Sequence, residues 1–246
     1  MPQRRSTEVR PADDTPVMRQ FRSAKEQHPD ALVFFRMGDF YELFYDDAVI
    51  ASRALELTLT SRNKNSADEI PMAGLPHHAA SGYVQRLLEQ GFKVAICEQM
   101  ADPKTVKGIV PREVVRVVSP GLTYDDNGLT PGQNHWVVAL GELTFAALDF
   151  TTGELLAATV ESREALLAEL VRFDPKEIVL EPEVGQDLVG AIATLRPRTS
   201  RRIAARAFAD ELPGLDSVVA AAEAETIQPS VAARAAAAAL VAVLRT

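Results

Sequence analysis

The sequence predicts a mixed α/β fold in two domains, and three features of the chain support this prediction. Strand-length apolar runs alternate with segments of helical spacing through the first half of the chain. Turn-forming residues accumulate between residues 119 and 132, which indicates a domain boundary. The second half opens with closely spaced strand-like runs before helices and strands alternate. We therefore divide the chain into a polar tail (1–14), a first domain (15–125) and a second domain (126–246).

The first domain is predicted to be a mixed sheet with helices packed on it. Thr15 and Pro16 fit the N-cap and first helical position of a helix that runs to about His28. A long helix is expected from Asp39 to about Leu57, where apolar residues recur at helical spacing. The other predicted elements are strands at 31–37, 58–60, 70–75, 93–98 and 112–118 and a helix at 81–90.

The second domain is predicted to begin with an antiparallel meander, because short turns separate its first strand-like runs. The predicted order is strands at 135–140, 143–150 and 154–160, a helix at 162–172, a strand at 177–180, a helix at 183–195, a strand at 198–203 and Ala-rich helices to the end. This is the element order of the ribonuclease H-like fold. The chain ends inside a helical pattern, so we expect this domain to be truncated and the parent protein to be longer.

Composition excludes several classes of protein. With 47% apolar and 24% charged residues, the 246-residue chain is typical of a folded globular protein. It lacks an apolar run long enough to span a membrane and a secretory signal, and it has a single cysteine, so we expect a cytoplasmic protein without a disulfide framework. The net charge of −8 disfavours a broad nucleic-acid-coating surface, but residues 103–116 carry four basic residues and one acidic residue.

Several residues suggest a metal-binding or catalytic role, but each also has a simpler structural explanation. The adjacent His77 and His78 are poorly spaced for a metal site, and Cys97 fits a small buried position in a strand. The carboxylates Asp149, Glu154 and Asp174 suggest the Mg²⁺ ligands of a nuclease, or else solvated turn residues. The chain has no phosphate-binding loop and no nucleophile-elbow motif, so we expect it to hold no cofactor and no standard nucleophile site.

The most specific segment is residues 35–44, and its residues alone permit two interpretations. Asp39 and Glu42 have the spacing of a capping box at a helix start, with Phe40 in the core beside Phe44. Alternatively, Phe40 is an exposed ring used as a wedge, with a carboxylate two residues further on. Both interpretations predict that Phe44 is buried.

The same segment resembles the signature of the MutS mismatch-recognition family, and the likeness extends over about residues 15–121. The blocks that carry it are Thr15-Pro16, residues 36–44 (RMGDFYELF), 45–48 (YDDA), 71–78 (PMAGLPHH), 94–99 (VAICEQ) and 116–121 (RVVSPG). The second domain resembles the connector domain of the family in element order and in residues 148–153 (LDFTTG). The lever, clamp and ATPase domains of the family have no counterpart in this chain.

The resemblance implies that Phe40 and Glu42 read mismatched or unpaired bases in double-stranded DNA and so initiate DNA mismatch repair. Phe40 would insert into the duplex, and Glu42 would accept a hydrogen bond from a base edge or, when protonated, donate one. Basic residues in loops would contact phosphates without reading sequence. The candidates for this role, chosen by charge and position, are Arg62, Lys64, Lys104, Lys107 and Arg112.

The resemblance also implies partners for a longer, bacterial, nucleoid-associated protein. That protein would form a homodimer, bind ATP and Mg²⁺ through domains absent here, and signal to a MutL-like protein through the connector domain. Two alternatives stay open. The chain is a Mg²⁺-dependent ribonuclease H-like nuclease, or it is a protein-interaction module that has lost its DNA contacts.

Overall fold

The computed structural model describes residues 15–64, 69–102, 106, 108–122, 132–149, 151–181 and 183–195, together with the backbone of 200–202. The predicted tail (1–14) and the predicted Ala-rich helices after residue 203 lie outside these residues. The chain divides into two compact units, Met1–Val118 and Ser119–Thr246. No helix in the described ranges is long and apolar enough to cross a membrane.

The first unit contains a six-stranded mixed sheet with helices on both faces. Its elements in chain order are α1 (Pro16–Gln27), β1 (Ala31–Met37), β2 (Phe40–Phe44), α2 (Tyr45–Leu55), β3 (Thr60–Arg62), β4 (Ile70–Pro76), a 3₁₀ turn (His77–Ala79), α3 (Ala80–Glu89), β5 (Lys93–Gln99) and β6 (Arg112–Val118). The strand order is β3-β4-β2-β1-β5-β6. Only the pairing of β1 with β5 is parallel among these strands. The predicted mixed α/β class is confirmed.

The sequence of β1 explains its place near the centre of the sheet. Its first five residues, ALVFF, are all buried, as expected for a strand covered on both faces. On one face α1 packs through Met18, Phe21 and Ala24, which recur every third residue. The opposite face is covered by α2 and α3.

The long helix predicted from Asp39 is wrong over its first part. Residues 40–44 form β2, and α2 begins only at Tyr45. The aromatic residues of this segment favour a strand, and β2 gains ladder hydrogen bonds from β1 on one side and β4 on the other. The predicted capping box is wrong for the same reason, because Asp39 lies in a turn and Glu42 lies in mid-strand. The short strand predicted at 58–60 is displaced to β3.

The second unit has the predicted ribonuclease H-like arrangement. Its elements are β7 (Trp136–Leu140), β8 (Thr144–Asp149), β9 (Leu155–Thr159), α4 (Arg163–Phe173), β10 (Glu177–Leu180), α5 (Gln186–Leu195) and β11 (Ser200–Arg202). The antiparallel meander β7-β8-β9 is extended by the parallel strands β10 and β11, in the order β11-β10-β7-β8-β9.

Buried polar contacts hold the start of the second unit in place. The Glu177 carboxylate at the start of β10 accepts hydrogen bonds from the Ser119 hydroxyl and from the Gly121 backbone N–H, the latter at 3.1 Å. These contacts join the turn-rich segment that the sequence marks as a boundary to β10. The sequence places that boundary after residue 125, whereas the compact units divide after Val118.

Candidate nucleic-acid interface

A tight β-hairpin places Phe40 at the end of the first sheet. The strands β1 and β2 are joined by Gly38 and Asp39, and Met37 pairs with Phe40 across this two-residue turn. Gly38 has φ of 63°, whereas Asp39 has no positive φ, which is the pattern of a type II′ turn. The turn therefore requires glycine at its first position. Phe40 follows it directly as the first residue of β2.

Phe40, Glu42 and Phe44 alternate along β2 and so lie on the same face of the sheet, the face that α1 covers. Phe44 is fully buried there, with its ring centroid 5.1 Å from that of Phe21 on α1. Phe40 lies about 13 Å further along the strand and is 46% exposed. The interpretation of Phe40 as a core residue is therefore wrong, and the expected burial of Phe44 is confirmed.

Glu42 lies between these two phenylalanines and pairs across the sheet with Phe35 on β1 and Gly74 on β4. Its Oε2 atom is buried and receives no hydrogen bond from the described residues. Burial raises the pKa of the Glu42 carboxyl group above its ordinary value. The result is a half-buried carboxyl group with unused hydrogen-bonding capacity beside an exposed aromatic ring.

The opposite face of the hairpin is held by a polar cluster. The Tyr41 hydroxyl donates a hydrogen bond to Glu98 Oε1 on β5, and Arg36 Nη1 lies 3.8 Å from the same oxygen. The Arg36 guanidinium also lies 5.5 Å from the centroid of the Tyr41 ring. Burial, followed by the hydrogen bond to Glu98, raises the pKa of Tyr41 to about 12. Tyr41 is therefore a neutral donor that ties β2 to β5.

The turn itself is fixed by His77. The backbone N–H of His77 donates to the Asp39 carbonyl oxygen at 3.0 Å, and His77 Nδ1 lies 3.1 Å from the same oxygen. Within the described ranges, His77 and His78 belong to no group of three His, Cys, Asp or Glu side chains that could hold a metal ion. His77 thus has a structural contact that the sequence did not reveal. The sequence also did not reveal the contacts among Arg36, Tyr41 and Glu98 on the opposite face of the hairpin.

The basic candidates do not form a single patch on the described surface. Arg62 ends β3 and Arg112 begins β6, which are opposite edges of a six-stranded sheet and about 24 Å apart. Lys64 follows β3 and is exposed. Lys104 and Lys107 lie outside the described residues.

Arg112 is engaged in contacts within its own unit. Its Nε donates to the Arg36 carbonyl at 2.6 Å, and its Nη1 donates to the Val110 carbonyl at 3.0 Å and to Gln20 at 3.4 Å. The guanidinium lies over the Phe35 ring at 5.2 Å, and burial lowers the pKa of Arg112. A phosphate contact by Arg112 would have to replace these acceptors.

The carboxylates considered for a nuclease do not converge. Asp149 is fully buried, and its Oδ1 accepts from the Thr151 N–H at 2.9 Å and the Thr151 hydroxyl at 2.7 Å. Burial opposes ionisation of Asp149, but these hydrogen bonds outweigh burial and lower its pKa. Glu154 and Asp174 instead line an open cavity of about 550 Å³. In the described part of the chain, no three His, Cys, Asp or Glu side chains form a metal-binding group.

Cys97 occupies the predicted buried position in β5. Its side chain is fully buried, and burial raises the pKa of the thiol to about 12. Burial therefore favours the neutral thiol, as expected for a small buried residue.

The model of MutS domain I matches residues 15–127, and the model of MutS domain II matches residues 141–213. The chain is 52% identical over 202 residues to the DNA mismatch repair protein MutS of Sorangium cellulosum, a match that covers 76% of this chain and 22% of the relative.

Two further relatives carry the same protein name. The MutS protein of Desulfatibacillum aliphaticivorans is 49% identical over 203 residues, covering 81% of this chain and 22% of the relative. The MutS protein of Staphylococcus haemolyticus is 44% identical over 181 residues, covering 72% and 20%. The chain thus spans about a fifth of the length of these relatives. Since both domain models match in chain order and together cover most of the sequence, this chain belongs to the MutS family and carries its domains I and II.

Proposed function

We propose that this chain binds mismatched or unpaired bases in double-stranded DNA through Phe40 and Glu42, and thereby takes part in DNA mismatch repair. The observation that carries the proposal is the contrast along β2, where Phe44 is fully buried and Phe40 is 46% exposed. A large exposed aromatic ring on a well-held hairpin is suited to contact a ligand rather than to stabilise the fold. The relatives named above are DNA mismatch repair proteins.

Insertion of Phe40 favours mismatches on energetic grounds. A mispair weakens stacking and pairing, so unstacking and kinking the duplex cost less there than at a matched step. An aromatic ring that enters from the minor groove stacks on a base without reading its identity, because every base has a π-face. Phe40 would therefore detect local weakness of the duplex rather than sequence.

Glu42 adds a polar contact at the same place. Its raised pKa increases the share of the neutral carboxyl form, which donates a hydrogen bond to a base edge, whereas the ionised form only accepts. The ionised form is also repelled by phosphates. Both effects favour a disrupted pair, where a base edge is free to bond with the carboxyl group.

Phosphate contacts would add affinity that is independent of sequence. Arg62, Lys64, Lys104 and Lys107 are the proposed residues, and Arg112 would join them only by exchanging its present acceptors. With a net charge of −8, the chain should bind duplex DNA weakly and with a marked dependence on salt.

The wider activity belongs to the longer protein. The chain has no phosphate-binding loop, so ATP and Mg²⁺ would be bound by other domains of a full-length relative, and this chain itself would not be an enzyme. We propose that the second unit contributes to a contact with a MutL-like protein and that the longer protein acts as a homodimer.

The experiment compares binding of the 246-residue chain to a duplex with one G·T mispair and to the fully paired duplex. Phe40→Ala should reduce the preference for the mispair by about 1–3 kcal/mol, the value of one base–aromatic stack. Leu59→Ala is the matched control, because Leu59 is an equally exposed apolar residue away from the hairpin, also 46% exposed. A Phe40→Ala chain that keeps its preference, or an unsubstituted chain that has none, would contradict the proposal.

A further inference from the structure

The Glu42 carboxyl group lies directly over a glycine. Glu42 pairs with Gly74 across β2 and β4. A methyl group placed on Gly74 would lie 2.5 Å from Glu42 Oε2, 2.9 Å from Cδ and 3.0 Å from Oε1. All the heavy atoms of the carboxyl group thus occupy the space that any other residue at position 74 would fill with its side chain.

The backbone at position 74 does not itself require glycine. Gly74 lies within the regular pairing of β2 with β4, and its φ is outside the left-handed region. Glycine in a strand interior weakens the strand, and it often marks a close approach by another group. The close group here is the Glu42 carboxyl, whose Oε2 is buried without a hydrogen-bond partner in the described residues.

We infer that Gly74 is a positioning residue for Glu42. Because Gly74 has no side chain, the carboxyl group of Glu42 can lie against its Cα, beside Phe40. This position of the carboxyl group determines how much Glu42 contributes to the selection of mismatched DNA. This inference rests on the proposed function of Glu42. It adds a residue on β4 that does not touch the base and acts only through the carboxyl group.

The geometry predicts that Gly74→Ala keeps the fold and moves the carboxyl group. The clashing atoms are the far end of a flexible side chain at a half-buried position, so Glu42 can rotate toward solvent without a shift of the backbone. Alanine is also better than glycine in a strand, so the melting temperature should stay the same or rise. Gly82→Ala on α3 is the matched control, because a methyl group there meets no heavy atom within 4 Å.

The first measurement needs no DNA. The pKa of Glu42 is followed by NMR in chains labelled with ¹³C at the glutamate carboxyl carbon, with the resonance assigned from Glu42→Gln. In Gly74→Ala the pKa should fall toward the ordinary value of about 4.3, because the displaced group is better hydrated. In Gly82→Ala it should not change. An unchanged pKa in Gly74→Ala would overturn the inference, whatever the DNA experiment shows.

The second measurement is the ratio of affinities for the duplex with one G·T mispair and the fully paired duplex. Gly74→Ala should reduce this ratio by the same factor as Glu42→Ala, and the double variant should match either single variant within about a factor of two. Full additivity of the two substitutions would overturn the inference. If Glu42→Ala leaves the ratio unchanged, the proposed function of Glu42 fails and this inference fails with it, even if the pKa has moved.

Discussion

The two ends of β2 in the first sheet differ in the burial of their phenylalanine and in the hydrogen bonding of the nearest carboxyl group. At the end covered by α1, Phe44 is fully buried, and Asp47 at the start of α2 accepts hydrogen bonds from Lys25 Nζ at 2.7 Å and from the Val33 N–H at 3.0 Å. At the hairpin end, a ring of the same type is exposed and a carboxyl oxygen has no partner among the described residues. The first end has the features of a core, and the second has the exposed ring and unpaired oxygen on which the proposed binding function rests.

The largest difference in the free energy of unfolding is expected between the variants Phe44→Ala and Phe40→Ala. Phe44→Ala should lower the free energy of unfolding by about 3–5 kcal/mol, because it empties a packed core site beside Phe21. Phe40→Ala should change it by no more than about 0.5 kcal/mol, as for other surface positions. Urea denaturation of both variants measures the difference. Equal losses would remove the distinction between the two ends of the face.

Removal of the Asp47 carboxylate should have an intermediate effect. Asp47→Ala leaves the buried Val33 N–H without its acceptor, which should lower the free energy of unfolding by about 1–3 kcal/mol. Lys25 is 33% exposed and can turn to water, so its loss of a partner should matter less. Lys25→Met is the variant to compare with Asp47→Ala, because it keeps the buried carboxylate and removes its cation. A stable Asp47→Ala variant would show that this end of the sheet does not depend on polar pairing.

A smaller effect should follow from the contact that ties the hairpin to β5. Tyr41→Phe keeps the buried ring and removes only the hydroxyl that donates to Glu98. The expected loss is about 1 kcal/mol in the free energy of unfolding. If the hairpin must be held for Phe40 to act, the preference for mismatched DNA should fall as well. An unchanged preference would mean that the turn contacts of His77 suffice.

Local patterns in the sequence predicted most of the elements, and the failures have physical reasons. The spacing of Phe44, Ala48, Ala51 and Leu55 is helical, but Phe44 is buried as the last residue of a strand, at the point where α2 begins. Short apolar runs before a helix fit either state, and here pairing with β1 and β4 decided in favour of a strand. Such pairing depends on residues distant in the sequence.

The candidate site shows the same limit. Family resemblance pointed to Phe40 and Glu42, whereas charge alone could not show that Arg112 donates to the carbonyl of Arg36, a residue 76 positions away. Gly74 carried a usable signal, as an isolated glycine within a strand pattern. The sequence could not show which group approaches it, since that depends on the register of β2 against β4.

The smallest expected change in stability comes from Glu42, and the direction in which this change varies with pH follows from its pKa. Burial raises the pKa of Glu42 in the folded chain, so the folded state holds its proton more tightly than the unfolded state does. The stabilisation by the protonated form is then fully present below the ordinary pKa of about 4.3 and is lost as the pH rises through the folded pKa. Glu42→Gln removes this titration.

The Glu42→Gln variant should therefore gain stability relative to the unsubstituted chain as the pH rises from about 4 to 7, by about 0.5 kcal/mol for such a partly exposed site. Melting temperatures measured across this range test the prediction, with Phe40→Ala as the control that leaves every titrating group in place. A difference that grows as the pH falls would indicate a lowered pKa and hence a cation near Glu42. The carboxyl group would then be ion-paired rather than unsatisfied, and the contrast between the two ends of the sheet would rest on Phe40 alone.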